Sequence, residues 1–480
     1  MIHRRLIIAL MLAMFTAGAV STAEGQLFKK VFGKKSARRH KESKDTDGGE
    51  EKKESRRSRK KHKKEERRKE KEERKKKGKK KKDRKDEPAK KSGSRKNSGN
   101  LFAQSKKRHD VNYPKSQYKD RYRVSVLAPL YLDELVSGEG VTFKDKMPEK
   151  AQAGVGFYQG VKLAADSLRR AGFGLDIYIH DITTFTESPE MLINNRRFDS
   201  TDLIIGAVQS KEIAPLAAYA RKRRINFVSV LSPSDGNVKD NPYFTMVQPT
   251  LKSHCEWVSA DITKKFPKQK VVILYRTSVQ ADANARTYFT NEIEGEADIS
   301  ELQCNTIPSK EQLLSVFDST RPNVVIIPVL DIDYADSLLE AVSENFSGTH
   351  FEVYGMPTWH GMANIRKPTA YRNLSVNVSH PFNFQSSNEL VQRVEADYRK
   401  QYAGKPTEYV LRGYETMFWY ATLLKKHGTI FNEHYNDTTG VPFTKFKVIP
   451  QFDKRGYILY HENTHIYLTT FEGGMSRTEE

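Results

Sequence analysis

Positive charge is concentrated at one end of this chain of 480 residues, and this limits the part of the chain that can fold. Residues 26–123 contain 42 Lys and Arg against 16 Asp and Glu, whereas residues 124–480 contain 38 Lys and Arg against 43 Asp and Glu. Almost no apolar side chain occurs between residues 34 and 100. A segment of this composition cannot bury enough apolar surface to offset the loss of chain entropy. We therefore predict a low-complexity basic arm at residues 26–121, mostly disordered, and a folded, mildly acidic body that begins near residue 122.

The first 25 residues have the pattern of a signal peptide. Arg4 and Arg5 precede a short apolar run at residues 6–15, and small residues follow that run. The run is too short to span a bilayer, which takes about 20 apolar residues. We expect cleavage after Ala23 or Gly25, with an uncleaved membrane anchor as the alternative. Cleavage would leave a mature protein exported to the periplasm or the cell envelope.

The arm has the composition of a polyanion-binding segment. Lys and Arg side chains at residues 29–108 can bind anions by releasing counterions, without sequence specificity. In an exported protein the available polyanions are acidic lipids and polymers, so we expect an anionic envelope surface as the partner and no specific nucleic acid. Lysines separate the apolar residues Leu27, Phe28, Val31 and Phe32, a pattern typical of a short interfacial helix. The alternatives are a solvated spacer for the arm and the frayed end of the signal peptide for the apolar pattern.

The chain has two cysteines, Cys255 and Cys304. We predict two buried thiols, with a disulfide as the alternative, since bridging requires Cα atoms within about 7 Å of each other. No second cysteine lies at the short spacing of a metal or redox motif. The sequence therefore predicts no metal and no cofactor.

The body alternates short apolar strands with amphipathic helices. The pattern predicts strands at 123–130, 175–180, 202–206, 225–231, 270–275, 323–328 and 351–355, and helices at 156–170, 213–223, 253–266, 281–292 and 334–342. This alternation is typical of parallel sheets covered by helices. Because the pattern restarts after residue 250, we predict an α/β fold with two Rossmann-like lobes and a hinge cleft between them. In such folds, ligands bind beyond the carboxyl ends of the strands.

Four stretches of the body carry a recognisable pattern: TDLIIGAVQS at 201–210, INFVSVLSPS at 225–234, NPYF and QPT within 241–250, and EADYRKQYAGKPTEYVLRGY at 395–414. Taken in order, they resemble the type I periplasmic binding proteins, in particular the leucine/isoleucine/valine-binding (branched-chain amino acid receptor) group. The resemblance covers residues 122–474 and implies a type I periplasmic binding fold whose chain passes three times between the lobes. It places lobe one at 122–247 and about 380–440, lobe two at about 248–379 and 441–474, and a tail at 475–480.

The resemblance also implies a function and a set of contacts. Type I proteins close around a small ligand by hinge rotation, so the resemblance implies capture of a small polar ligand, an amino acid or a peptide-like compound, for a membrane transporter or sensor. Matching by motif position places ligand contacts at Gln209, Ser210, Leu231, Ser232 and Ser234 in lobe one, and at Tyr275, Asp331, Asp333 and Trp359 in lobe two. Asp331 or Asp333 would bind an ammonium group, and Trp359 would form a wall of the pocket. For Ser234 and Asp333 the alternative is ordinary turn or helix-cap chemistry.

The long cationic arm also suggests a second function. A strongly cationic tether is unusual for a transport receptor that diffuses freely. The alternative is therefore an envelope scaffold or regulator that uses the same fold to bind a protein or a cell-wall polymer.

One motif suggests an enzyme, but its sequence context does not support that interpretation. HENTH at 461–465 matches the H-E-x-x-H signature of zinc proteases, which requires both histidines on one face of a helix. The flanking residues are rich in β-formers, so we predict a hairpin with its turn at Glu462 and Asn463. Neither a phosphate-binding GK[ST] loop nor a G-x-S-x-G motif occurs. We therefore predict that the protein is not an enzyme.

Overall fold

The computed structural model describes residues 108–479, except residues 139, 145, 268, 294, 296, 385, 386, 441 and 442. The predicted signal peptide, the predicted interfacial helix and residues 26–107 of the predicted arm lie outside the described residues. None of the helices in the described part combines the length and apolar character needed to cross a bilayer.

Strands and helices alternate along most of the described chain. The strands are β1 (Tyr122–Ala128), β2 (Val136–Ser137), β3 (Gly140–Val141), β4 (Leu175–Asp181), β5 (Leu203–Gly206), β6 (Asn226–Ser229), β7 (Phe244–Met246), β8 (Lys270–Tyr275), β9 (Asp298–Gln303), β10 (Asn323–Ile326), β11 (Phe351–Tyr354), β12 (Leu374–His380), β13 (Val448–Phe452), β14 (Ile458–Asn463), β15 (Tyr467–Glu472) and β16 (Met475–Glu479). The α-helices are α1 (Leu132–Leu135), α2 (Glu149–Arg170), α3 (Pro189–Asn194), α4 (Ser210–Arg223), α5 (Leu251–Lys265), α6 (Gln280–Ile293), α7 (Lys310–Leu314), α8 (Ile332–Asn345), α9 (Glu389–Tyr402) and α10 (Glu408–His427). Short 3-10 helices lie at Phe185–Glu187, Pro357–Gly361 and Asn364–Arg366.

Lobe one is built on a seven-stranded sheet of order β13-β14-β7-β6-β5-β1-β4. Each strand from β14 to β4 is parallel to its neighbour, and β13 is antiparallel to β14. The central strands are apolar along their length, as Leu203, Ile204 and Ile205 of β5 illustrate, and all three are fully buried. Strands of this kind are typical of a parallel sheet covered on both faces.

Lobe two has a second seven-stranded sheet, of order β16-β15-β12-β11-β10-β8-β9. The strands from β12 to β9 are parallel, and β15 and β16 are antiparallel to their neighbours. The chain passes between the two sheets three times, after β7, after β12 and after β14. The predicted fold class is therefore confirmed, and so is the number of passages that the resemblance implied.

Glycines bring α2 and α10 of lobe one into direct backbone contact. A Cβ atom at Gly160 would lie 1.9 Å from the carbonyl oxygen of Val410, and one at Gly413 would lie 2.2 Å from that of Phe157. Both distances are far inside van der Waals contact, so only glycine fits at these two positions. Gly160 belongs to the GVGFYQG stretch at 154–160 and serves helix packing there.

Two predicted boundaries near the carboxyl end are corrected by the strand pairing. Residues 441–474 were assigned to lobe two, but β13 and β14 belong to the sheet of lobe one, where His461 of β14 pairs with Thr245 of β7. The last passage between the lobes therefore lies at residues 464–466. The expected tail at 475–480 is instead strand β16 over Met475–Glu479, which pairs with β15 across a turn at Gly473 and Gly474.

The predicted boundary of the arm at residue 121 is also corrected, because residues 108–121 pack on lobe one. The backbone N–H of His109 donates to the carbonyl of Gly456 at 3.0 Å, and the His109 ring stacks on Tyr457 with ring centroids 4.0 Å apart. The ring of Tyr113 meets the ring of Tyr243 edge-on at 5.7 Å. These contacts attach residues 108–113 to lobe one.

Candidate functional site

The three passages between the lobes define the edges of the two sheets that face each other. Each passage leaves from the carboxyl end of a strand: Met246 ends β7, His380 ends β12 and Asn463 ends β14. The carboxyl edges of the two parallel sheets are therefore opposed across the hinge. The loops that follow these strands form the candidate ligand cleft, as expected for this class of fold.

On the lobe-one side, Gln209 and Ser210 lie at the start of α4. Gln209 is the N-cap and is exposed, and its backbone N–H donates to Oε2 of Glu212 at 2.7 Å. Ser210 is the first residue of the helix and is half-buried. The first turn of α4 therefore points backbone N–H groups toward the candidate cleft, and such groups can bind a carboxylate.

The loop after β6 uses its serines to form consecutive turns. Leu231 and Ser232 are buried and Ser234 is half-buried. The Ser232 hydroxyl accepts from the N–H of Ser234 at 3.3 Å, and the Ser234 hydroxyl accepts from the N–H of Gly236 at 3.2 Å. Gly236 packs against the side chain of Ile213 in α4, so the structure brings this loop next to the Gln209 loop. The turn chemistry that was the alternative for Ser234 is present.

On the lobe-two side, a nearly buried arginine links the loops after β8 and β10. Arg276 is 8% exposed, its Nε donates to Asp282, and its Nη2 lies 3.7 Å from Oδ2 of Asp331. Asp282 is fully buried and also accepts from the N–H of Leu330 at 3.0 Å. Burial raises the pKa of Asp282 above its ordinary value, although the hydrogen bonds from Leu330 and Arg276 act in the opposite direction. Arg276 is not among the predicted contacts, although it directly follows the strand that ends at Tyr275.

Asp331 caps a helix. Its Oδ1 accepts from the backbone N–H groups of Asp333 and Tyr334 at 3.1 and 3.2 Å, at the start of α8. Asp331 is partly exposed, at 41%, so one carboxylate serves the helix, lies near Arg276 and still faces solvent. Asp333 is exposed in the first turn of α8. Tyr275 is half-buried and its ring lies under the guanidinium of Arg286, 4.2 Å from Cζ to the ring centre.

The position of Trp359 corrects the expectation that it forms a pocket wall. Its side chain is fully buried in the core of lobe two, and its Nε1 donates to the carbonyl of Val329 at 2.8 Å. The ring lies so close to Gly355 that a Cβ there would approach it to 2.1 Å. In the sequence, a large apolar ring is compatible with a pocket wall and with a hydrophobic core. In the structure the ring is buried in the core and does not line the cleft.

No family model matches the chain, and no curated protein sequence matches it. Among solved structures, a branched-chain amino acid ABC transporter protein of Rhodospirillum rubrum is 15% identical with a TM-score of 0.54, and the match covers 75% of this chain and 100% of that one. An ABC-type branched-chain amino acid transporter protein of Rhodopseudomonas palustris is 12% identical with a TM-score of 0.52, covering 74% and 95%. A periplasmic ligand-binding protein of a branched-chain amino acid ABC transporter from Burkholderia xenovorans is 12% identical with a TM-score of 0.51, covering 75% and 95%.

The chain has the type I periplasmic binding fold. The resemblance found in the sequence is therefore confirmed for the fold. The solved proteins of this fold that it matches carry names of transport and ligand-binding proteins.

Arg412 contacts two of the three passages between the lobes. Arg412 of α10 is 9% exposed, its Nη1 donates to Oε1 of Gln248 in the first passage at 3.4 Å, and its guanidinium lies 3.9 Å from the ring centre of Phe382 in the second passage. The hinge of the fold is thus tied to a helix of lobe one. Arg412 is not among the predicted contacts, although it lies within the EYVLRGY stretch that carried part of the resemblance.

A buried carboxyl lies one turn further along α10. Glu415 is fully buried, and its Oε1 accepts from the N–H of Thr444 at 2.6 Å and the N–H of Phe443 at 3.3 Å. Burial raises its pKa to about 7, against the effect of these hydrogen bonds and of Arg412. An acidic residue within the apolar run YETMFWY was the available sequence signal. The side chain fixes the returning 443–444 segment to α10.

The H-E-x-x-H motif lies on strand β14 and the third passage. The predicted turn at Glu462 and Asn463 is corrected, because both residues end β14 and the chain turns after them. The ring of His461 packs against Tyr435, with centroids 5.1 Å apart, and burial lowers its pKa to about 4. The ring of His465 meets Tyr467 edge-on at 4.7 Å. A strand with this packing does not place the two histidines as a helical zinc site would.

The described residues offer neither a metal site nor a reactive cysteine. In residues 108–479 with their gaps, no group of three or more His, Cys, Asp or Glu side chains is placed to hold a metal ion. Cys255 and Cys304 are buried, unpaired thiols. Burial raises the pKa of both, that of Cys304 to about 12, so neither has the character of a reactive thiolate.

Proposed function

We propose that this protein is an exported solute-binding protein that captures a small polar ligand, an amino acid or a peptide-like compound, between its lobes for a membrane transporter or sensor. The observation that carries the proposal is the opposition of the carboxyl edges of the two sheets, joined by three passages that can act as a hinge. Solved proteins of the same fold are named as components of branched-chain amino acid transporters, which supports this class of function.

The chemistry of the loops supports a ligand with opposite charges at its ends. Lobe one offers the N–H groups at the start of α4 beside the serine turns of the β6 loop, which suit a carboxylate. Lobe two offers the partly exposed carboxylates of Asp331 and Asp333, which suit an ammonium group. Under this proposal Gln209, Ser210 and Ser234 bind one end of the ligand, with Asp331 or Asp333 at the other.

Titration of the full chain with amino acids, short peptides and cell-wall fragments tests the proposal. A ligand at 100 times its dissociation constant stabilises the folded state by about 2.7 kcal/mol, which appears as a clear rise in melting temperature. Small-angle scattering of the same samples should show a smaller radius of gyration when the lobes close. A panel that changes neither quantity would contradict ligand capture.

One substitution separates the two roles of Asp331. Asparagine caps helices as well as aspartate does, so Asp331→Asn preserves the start of α8 and removes the charge. We expect D331N, alone or with Asp333→Asn, to lose ligand binding at an unchanged unfolding midpoint. Substitution of Glu340 and Glu344 by Gln, further along the same helix, is the matched control. Equal affinity in all variants would assign Asp331 to helix capping alone.

The alternative function is an envelope scaffold or regulator that binds a protein or a cell-wall polymer. This alternative is favoured because two of the predicted ligand contacts have structural roles instead. Asp331 caps α8, and Trp359 is fully buried. Binding of a polymer without a change in the radius of gyration would support this alternative.

In both cases we propose that the arm attaches the protein to an anionic envelope surface. Deletion of residues 26–100 should then release it from the envelope fraction at moderate salt, and unchanged fractionation would contradict the attachment.

A further inference from the structure

A groove of about 620 Å³ runs along the outer face of lobe one. Helix α4 forms one wall, with Ala214, Ala217 and Ala218, and the loop at residues 236–241 forms the other. The small alanine side chains leave the floor of the groove accessible. Its lining includes four cationic residues, Arg221, Lys222, Arg224 and Lys239.

These cations are exposed and only partly neutralised. Arg221 contacts Asp240, whereas neither Lys222 nor Lys239 has an ion-pair partner within the described part of the chain. The helix dipole favours cations at the carboxyl end of α4, where residues 221–224 have the sequence RKRR. It does not account for Lys239, which lies on the opposite wall. The groove therefore presents positive charge from two separate elements.

The charged end of the groove lies away from the candidate cleft. Arg224 is followed by β6 and Asn241 is followed by β7, so these residues are near the amino ends of the strands. The cleft faces the carboxyl ends of the same sheet. The positive charge of the groove and the candidate ligand site therefore lie at opposite edges of lobe one.

The cationic arm joins lobe one beside this same end of the groove. Arg108 lies over the ring of Phe452, 4.7 Å from Cζ to the ring centre, and His109 bonds to Gly456 between β13 and β14. From this hairpin, the carbonyl of Leu459 accepts from the N–H of Asn241, a residue that lines the groove. Arg108 and the cationic end of the groove thus lie at the same edge of lobe one.

We infer that the cationic end of this groove binds the phosphate groups of an anionic phospholipid surface and so turns the cleft away from that surface. Charge complementarity supports an anionic partner. The apolar pattern at residues 27–32 favours a lipid surface over a soluble polyanion, because apolar side chains gain free energy by entering lipid and none by contact with a soluble polyanion. The inference rests on the export and attachment proposed above and is independent of ligand capture.

Vesicle binding tests the inference with two charge-matched variants. Lys222, Arg224 and Lys239 are replaced by Gln in one, and the exposed lobe-two residues Lys264, Lys310 and Lys367 are replaced by Gln in the other. Mature chain is sedimented with phosphatidylglycerol and phosphatidylcholine vesicles at the salt concentration where half of the unmodified protein binds. A cation near an anionic membrane strengthens binding about fivefold, so we expect the groove variant to bind at least about tenfold more weakly than the control variant.

Three outcomes are informative, provided that both variants keep the unfolding midpoint of the unmodified chain. Weaker vesicle binding of the groove variant alone supports the inference. Equal loss in both variants overturns it, because net charge would then be sufficient. Loss of binding to a soluble polyphosphate without loss of vesicle binding overturns the lipid assignment and makes the groove a site for a soluble polyanion. Ligand titrations without vesicles report on the cleft separately, so failure of one proposal is distinguishable from failure of the other.

Discussion

The carboxylate of Glu462 accepts a hydrogen bond of 2.7 Å from the backbone N–H of Thr250. Glu462 is near the end of β14 in lobe one, and Thr250 is the N-cap of α5 in lobe two. The same oxygen accepts from the hydroxyl of Ser253 at 2.7 Å. One buried side chain therefore joins the last strand of the first sheet to the first passage between the lobes.

Replacing Glu462 by Ala should destabilise the protein by about 1–3 kcal/mol, since the N–H of Thr250 and the hydroxyl of Ser253 would lose a buried acceptor. Glu462→Gln keeps an acceptor oxygen and should cost less. Urea unfolding of the full chain measures both effects, with the more exposed Glu256→Gln in α5 as the control. Equal midpoints for E462A and E256Q would show that the contact contributes nothing to stability.

Because of Glu415, the free energy of unfolding should decrease as the pH rises. Its pKa of about 7 in the folded protein lies above the ordinary value of 4.5, so the folded state binds more protons than the unfolded chain between these values. The contribution is complete below about pH 4.5 and is lost as the pH rises through 7, with a total of about 3 kcal/mol. Urea unfolding of the unmodified chain and of Glu415→Gln should show a stability difference that changes in this sense. A difference that is constant from pH 4.5 to 8 would contradict the protonated state.

Because of its buried histidines, the free energy of unfolding of the protein should also decrease as the pH falls. Burial lowers the pKa of His254 to about 3 and that of His461 to about 4. Each stays neutral in the folded protein but takes up a proton on unfolding below pH 6.5, so its contribution is complete above pH 6.5 and is lost as the pH falls toward the folded-state pKa. Replacing either by Gln should reduce the slope of stability between pH 6 and 5 by up to about 1.4 kcal/mol per pH unit. His350→Gln, at a site that is 41% exposed, is the control and should leave the slope nearly unchanged.

The helix crossing in lobe one should not tolerate a methyl group. Gly160→Ala and Gly413→Ala would each force a Cβ against a backbone carbonyl, and overpacking of this kind costs about 1–3 kcal/mol or more. Thermal unfolding of the full chain measures the loss. Gly348→Ala is the matched control, because nothing lies within 4 Å of its added Cβ. Similar melting temperatures for G160A and G348A would mean that α2 and α10 can separate without cost.

Local elements were largely predictable because they depend on periodicity within a short window. Strand β8 spans Lys270–Tyr275 in both prediction and structure, and α8 was placed at 334–342 within its observed range of Ile332–Asn345. The assignment of β13 and β14 was wrong because a strand does not encode which sheet it will join. Strand β14 joins the sheet of lobe one because it pairs with β7, which lies far earlier in the chain.

The site was less predictable than the fold, for a chemical reason. Ser234 and Asp331 were placed in the correct loops, yet both bind backbone N–H groups of their own loops. A hydroxyl or carboxylate suits a turn, a helix cap and a ligand equally well, and the backbone conformation around it decides among them. Arg276 and Arg412 were missed because the burial of a cation depends on partners that converge only in the folded chain.

The order in which the strands join the two sheets also constrains how the protein is made. The sheet of lobe one receives its last strands at Val448–Asn463, and the sheet of lobe two receives its last at Met475–Glu479. Neither sheet is therefore complete until residue 463 has been synthesised. Long-range pairings of this kind also slow folding. We therefore expect both lobes to complete folding only after these late strands pair with the strands that precede them.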